Sequence, residues 1–225
     1  MLLIFTIDLF EGLADYLRIE ERGRHTEANL DLPPGDRLMS TDRSLLTKAL
    51  HGLLALAVIH QLVIINFMIA PKPGRAENFA FELHEWVGLT SLGLLLAYWL
   101  WTLVRRGEAR FRLLVPWFSP KATLAVWRDF RLHLSAWRRG RLPDIDSHPF
   151  AHAVHGLGLI VMSVMAVTGT MSLISVLPES VRTAGMSVHE ASSKLVWAYV
   201  IGHASLAILH EVAGHRLFRQ MFWSR

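Results

Sequence analysis

Twelve histidines stand beside three tyrosines and no cysteine in this chain of 225 residues. Several of them lie inside long runs that contain no charge at all. An ionisable side chain in such a run is costly to bury and marks function by default. His189 and His203 are fourteen residues apart. At 100° per residue they share nearly one helical face, about 21 Å apart along the axis. His210 falls on the same face, about 10 Å further on. One helix therefore offers imidazoles at several depths, and imidazole nitrogen is the commonest metal ligand among side chains.

The elements that must position these residues are apolar blocks. Residues 49–71 read ALHGLLALAVIHQLVIINFMIAP, residues 86–104 read WVGLTSLGLLLAYWLWTLV, and residues 150–177 form a longer uncharged run. A fourth block, 195–210, is extended to 186–213 by segments carrying Glu190, Lys194 and Glu211. A bilayer core of about 30 Å needs about 20 apolar residues as helix, which three blocks supply and the fourth supplies with its flanks. Four such blocks in a short chain argue against buried helices of a soluble protein. The expected fold is an all-α integral membrane four-helix up-and-down bundle, with spans at about 46–70, 85–104, 150–176 and 188–212.

Charge gives the expected orientation. The middle connection, 105–150, carries ten Lys and Arg residues, against Lys72 and Arg75 in the first connection and Arg182 in the third. Positive residues stay inside, so the middle connection and both termini should be cytoplasmic. The net charge of +4 then reports topology, and no base-reading pattern points to nucleic acid. The apolar content of 52% excludes disorder. The missing cysteine excludes thiolate centres, disulfides and covalent attachment of haem through cysteine.

Two further segments read as surface helices. Residues 2–17 place Leu2, Phe5, Leu9, Leu13 and Tyr16 near one face, and Asp8 and Glu11 argue against a signal peptide. In the middle connection Leu124, Trp127, Phe130, Leu134 and Trp137 oppose Arg128, Arg131, Arg138 and Arg139. That pattern suits a helix lying in the headgroup layer or a docking surface for another subunit. Residues 1–44 form an N-terminal extension and linker, and 45–222 the membrane domain.

Depth selects the partners. His84 and His189 both stand at the outer ends of their blocks and should meet across the bundle. His51 lies one to two turns inside the cytoplasmic end of the first block, at the level of His203, with His210 as a less favoured mate. His60 is nine residues past His51, 180° away, and should not share that site. Two imidazole pairs stacked along the membrane normal suit two six-coordinate haems. Zinc asks for three or four protein ligands, and a transported ion asks for carboxylates that the uncharged cores lack, so haem is favoured. Gly52, Gly88, Gly156, Gly158 and Gly202 offer gaps for a flat porphyrin, although small residues also serve helix contacts.

The motifs KALHGLLAL (48–56), LHEWVGLTSLGLLL (83–96), HAVHGLGLIVMSVMAVTG (152–169) and HEASSKLVWAYVIGHASLAILHE (189–211) resemble, in this order, the bacterial cytochrome b561 family. That family sits in a wider group with the cytochrome b subunits of nickel–iron hydrogenase and formate dehydrogenase. The resemblance covers about residues 45–222 and implies two haems b, with His51/His203 and His84/His189 as axial pairs. It also implies electron transfer between an outer redox partner and membrane quinone. The long N-terminal extension and basic middle connection exceed its compact members.

Quinone chemistry exchanges protons, so an acid or base near a haem edge is expected. His152, His155 and His210 are candidates for that role, for anchoring, or for pairing with haem propionates. Arg43, Lys48, Arg105 and Arg106 are candidate propionate cations on the same side, and on the other Lys72 and Arg75 could pair with propionates or attract an anionic donor. Expected partners are membrane lipid, quinone and a redox subunit or cytochrome, with an oligomer or larger complex allowed. Two other readings compete: a membrane anchor with a structural haem, and a histidine-lined metal transporter.

Overall fold

A computed structural model describes residues 43–105, 111–142 and 149–215, together with 218 and 221. The expected helix at residues 2–17 and Arg106 lie outside these. Four long helices form the bundle: α1 (Leu45–Ile64), α2 (Phe79–Val104), α5 (Pro149–Leu173) and α6 (Glu179–Val212). Each is long and apolar enough to cross a membrane, with α1 prolonged to Phe67 by a 3₁₀ turn. Between α2 and α5 lie a short helix α3 (Phe111–Leu114) and the amphipathic α4 (Pro120–Trp137). The chain is an all-α integral membrane bundle.

Burial follows the solvent these helices face. Leu53, Leu56, Leu96, Leu100 and Ile201 are exposed, while Thr47, Ser91, Thr102 and Ser192 are buried. With hydrocarbon outside, polar groups must be satisfied within the protein. Hydroxyls accordingly join the spans: the Trp101 indole N–H donates to Thr47 Oγ1 (2.8 Å) and that of Trp99 to Ser163 Oγ (3.0 Å).

Helix starts depend on caps as well as on apolar blocks. Asn78 caps α2 by accepting from Phe81 N (3.1 Å). It also pins the end of the first span, accepting from Ile69 N and donating to the Phe67 carbonyl. The second helix therefore begins at Phe79, ahead of the apolar block, and His84 sits in its second turn. Likewise α6 starts at Glu179, directly after Pro178, so His189 lies well inside it. Charged residues near a span's end do not stop a helix whose backbone bonds are already made.

After α2 the chain turns back into the bundle. Phe111 packs edge-on against Trp99, and Leu114 is buried. A Cβ on Gly156 would run into the Leu114 backbone, so this glycine serves close approach of α3. The helix expected in the middle connection is α4. Its Asp129 reaches across to α5 and accepts from Phe150 N at 2.9 Å, while His133 stacks near Phe150. One helix thus caps another. Asp129→Ala should cost about 1 kcal/mol, read as a lower Tm of the protein in detergent; an unchanged Tm would show that the cap is idle.

Consecutive spans pack side by side, α1 on α2, α2 on α5 and α5 on α6. The last helix leans on α5 and keeps its backbone almost clear of α1 and α2. A gap thus separates the helix carrying His189 and His203 from those carrying His51 and His84.

Candidate functional site

Imidazoles bridge that gap at two levels. The level nearer the arginine-rich connection holds His51 of α1 and His203 of α6, their ring centres 6.4 Å apart. The far level holds His84 of α2 and His189 of α6, 6.2 Å apart. We call these the proximal and distal pairs.

The distal pair is seated by α5, a helix that contributes no imidazole to either pair. His189 Nδ1 lies 2.9 Å from the Met165 carbonyl. A carbonyl can only accept, so Nδ1 carries the hydrogen and the Nε2 lone pair is left for a metal. One turn along, a Cβ on Gly169 would stand 2.8 Å from His189 Cε1 and 3.0 Å from Nδ1. Only glycine leaves the ring its place there. Across the gap, Gln61 of α1 donates from Nε2 to the His84 carbonyl at 2.8 Å.

At the proximal level Tyr199 stacks on His203, ring centres 5.4 Å apart and planes 9° from parallel. One helical turn separates the two residues. Gly158 of α5 makes room for the tyrosine, since a Cβ there would enter its ring. His155 stands edge-on to His203 at 5.1 Å, with Nδ1 donating to the Ala151 carbonyl one turn back. Gly158 and Gly169 are eleven residues apart, three turns plus 20°. A single face of α5 therefore moulds both levels of α6.

Spacing tests what the pairs can hold. Two imidazole nitrogens at about 2.0–2.1 Å from one metal, each about 1.1 Å ahead of its ring centre, set the centres about 6.3 Å apart. Four histidine ring pairs meet among the described residues. Both cross-gap pairs, at 6.4 and 6.2 Å, match that span. The other two are too close: His155–His203 at 5.1 Å, and His210–His215 at 4.9 Å with facing Nδ1 atoms 2.7 Å apart. Both cross-gap pairs are therefore spaced for two imidazoles to share one metal ion between them.

The remaining candidates fall as follows. His155 belongs to the proximal cluster. His152 is half-buried near the start of α5. His210, buried, shares a hydrogen bond with His215 where Gly214, at φ +91°, folds the chain back after α6. Arg105 is buried at the end of α2 with its guanidinium 5.8 Å from the Tyr98 ring centre. Arg43 and Lys48 are both half-buried at the same end of the bundle. Lys72 and Arg75 are exposed and close a tight turn through Gly74, at φ +78°. Of the five glycines expected to make room for a porphyrin, Gly88, Gly156 and Gly158 instead admit Gln61, Leu114 and Tyr199. Beside Gly52 and Gly202 a Cβ would meet nothing within 4 Å.

Sequence reasoning did not single out Gln61, Tyr199 or Gly169. Gln61 had a signal, as an amide in an otherwise apolar stretch. Tyr199, four residues before His203, had one in its helical spacing. Gly169 had none, because its role depends on a ring from another helix.

Four apolar spans with imidazoles paired between them at two levels define an α-helical membrane protein with a candidate metal-binding site. The chain belongs to the prokaryotic cytochrome b561 family, whose profile matches residues 42–224. It is accordingly a multi-pass bacterial membrane protein that binds haem b and serves electron transfer. No curated protein and no solved structure matches it significantly.

Proposed function

We propose that this chain carries electrons across the bacterial inner membrane through two b-type haems, between membrane quinone and a redox partner on the outer side. His51 and His203 would hold one haem and His84 and His189 the other. The observation that carries this reading is the pair of cross-gap ring separations, 6.4 and 6.2 Å, both built on one helix. The fourteen-residue spacing of His189 and His203 places the two levels about 21 Å apart along that helix.

Bound haem supplies a one-electron ferric/ferrous couple. The four histidines would hold the two irons through imidazole nitrogens alone, an arrangement that favours electron transfer over oxygen chemistry. The Met165 carbonyl fixes the His189 tautomer, and the Gly169 notch fixes its ring. Tyr199 holds the plane of His203.

The ten cationic residues of 105–150 support an orientation with that connection and both termini in the cytoplasm. The proximal pair then lies on the cytoplasmic side. His152, His210 and Arg105 stand at the same end, available to quinone or to haem propionates. Arginine offers a propionate a bidentate hydrogen bond.

Visible spectra of the purified membrane protein test the reading. Dithionite should develop haem b bands corresponding to two haems per chain, and a quinol should reduce at least one of them. Absence of haem would sink the proposal. Two haems that no quinol reduces would point to a membrane anchor for a larger redox complex.

A further inference from the structure

Three buried polar atoms on neighbouring residues of α1 and α2 have no protein hydrogen-bond partner: His60 Nδ1, Gln61 Oε1 and His84 Nδ1. Buried polar groups are normally satisfied, and each exception asks for an explanation. Two of these residues are already joined. Gln61 Nε2 donates to the His84 carbonyl at 2.8 Å. The amide can come so close because the α2 residue one turn after His84 is Gly88; a Cβ there would stand 3.1 Å from Gln61 Nε2. Sequence and packing have made a place for this side chain against the backbone of a haem-ligand candidate.

The two members of the distal pair differ in what holds them. His189 gives its Nδ1 hydrogen to the Met165 carbonyl. Metal-ligating histidines almost always give the second ring N–H to an acceptor, which fixes the tautomer and raises ligand basicity. His84 has no carbonyl in that role. The amide oxygen of Gln61 is a buried acceptor without a donor, on the side chain whose nitrogen already grips the His84 backbone.

We infer that Gln61 is a positioning residue for the distal haem: its Nε2 fixes the backbone of His84, and its Oε1 takes the His84 Nδ1 hydrogen, directly or through one bridging water. A water suits a buried site with two or more polar partners. The inference rests on His84 and His189 being haem ligands, as proposed above.

The consequence falls on the reduction equilibrium of one iron. An acceptor on Nδ1–H makes the imidazole a stronger donor, which favours the ferric state. Removing the acceptor should favour the ferrous state. Gln61→Met keeps the side-chain length but has no amide to donate or accept. Gln61→Glu, protonated in this apolar setting, keeps a donor towards the carbonyl and an acceptor towards the ring.

The experiment is a redox titration of the full chain in lipid nanodiscs, followed optically and by the low-spin haem signals in electron paramagnetic resonance. The distal haem is the one missing from His189→Ala. Gln61→Met should raise its reduction constant about tenfold, ~59 mV for one electron. Its resonance should shift, the other haem should keep its midpoint, and Gln61→Glu should restore the parent value. A distal midpoint unchanged in Gln61→Met, or both haems moving together, overturns the inference. So does a shift produced by His60→Ala and not by Gln61→Met. If Gln61→Met loses the distal haem, retention of that haem in Gln61→Glu supports the hydrogen bonds, and loss in both overturns them. Absence of haem from the parent chain would instead overturn the function proposed above.

Discussion

His203→Ala should halve the haem content of the protein, from two haems per chain to one, in a pyridine-haemochrome assay. His51→Ala should do the same to the same haem, because the two rings face each other across the gap at 6.4 Å. His189→Ala and His84→Ala should remove the other haem and leave the first. The double variant His203→Ala/His51→Ala should then lose no more than either single one, since residues acting on one group are not additive. His155→Ala is the sharp control. Its ring touches His203, yet at 5.1 Å it stands too near for an iron between them, and its Nδ1 hydrogen is committed to Ala151. His155→Ala should keep both haems. If it loses the proximal haem while His51→Ala keeps it, the ligand assignment is wrong.

Gly169→Leu should remove the distal haem as completely as loss of its ligand does. The smallest change already conflicts with the site. A Cβ would be 2.8 Å from His189 Cε1, and the ring cannot yield without giving up the Met165 carbonyl. Loss of a ligand's outer hydrogen bond typically weakens metal binding 10–100-fold. Gly169→Ala should therefore weaken retention of the distal haem by about that factor, measured as release to apomyoglobin. The longer leucine leaves the imidazole no room. Gly93→Ala offers the contrast: it lies exposed on α2, a Cβ there meets nothing within 4 Å, and both haems should stay. Equal retention in Gly169→Leu and Gly93→Ala would show that the α5 seat does not govern His189.

Both predictions follow from the way the site is divided between helices. The imidazoles come from α1, α2 and α6, but α5 decides how α6 presents them. Gly158 admits the tyrosine that stacks on His203, and Gly169 admits His189 itself. A helix that supplies no imidazole to either pair therefore carries as much of the geometry as the helices that do. The same division suits electron transfer, where rigidly held ligands keep both oxidation states in one geometry.

Much of this was legible in the residues alone. Uncharged blocks gave the four spans, because hydrocarbon tolerates few charges over a helix long enough to cross it. The fourteen-residue interval in the last helix gave two levels on one face, since rise and twist per residue are fixed. Equal depth from the ends of the blocks then gave the partners His51/His203 and His84/His189, the two pairs that the fold brings to matching separations. Periodicity fixes face and depth within a helix, but it does not fix how one helix is turned towards the next. Only the tertiary structure decided that His155 would crowd His203, and that Gly88, Gly156 and Gly158 would seat a side chain, the end of a short helix and a ring. Only it placed Gln61 on the backbone of His84. These contacts join residues dozens of positions apart through close packing, and that information exists in no single helix.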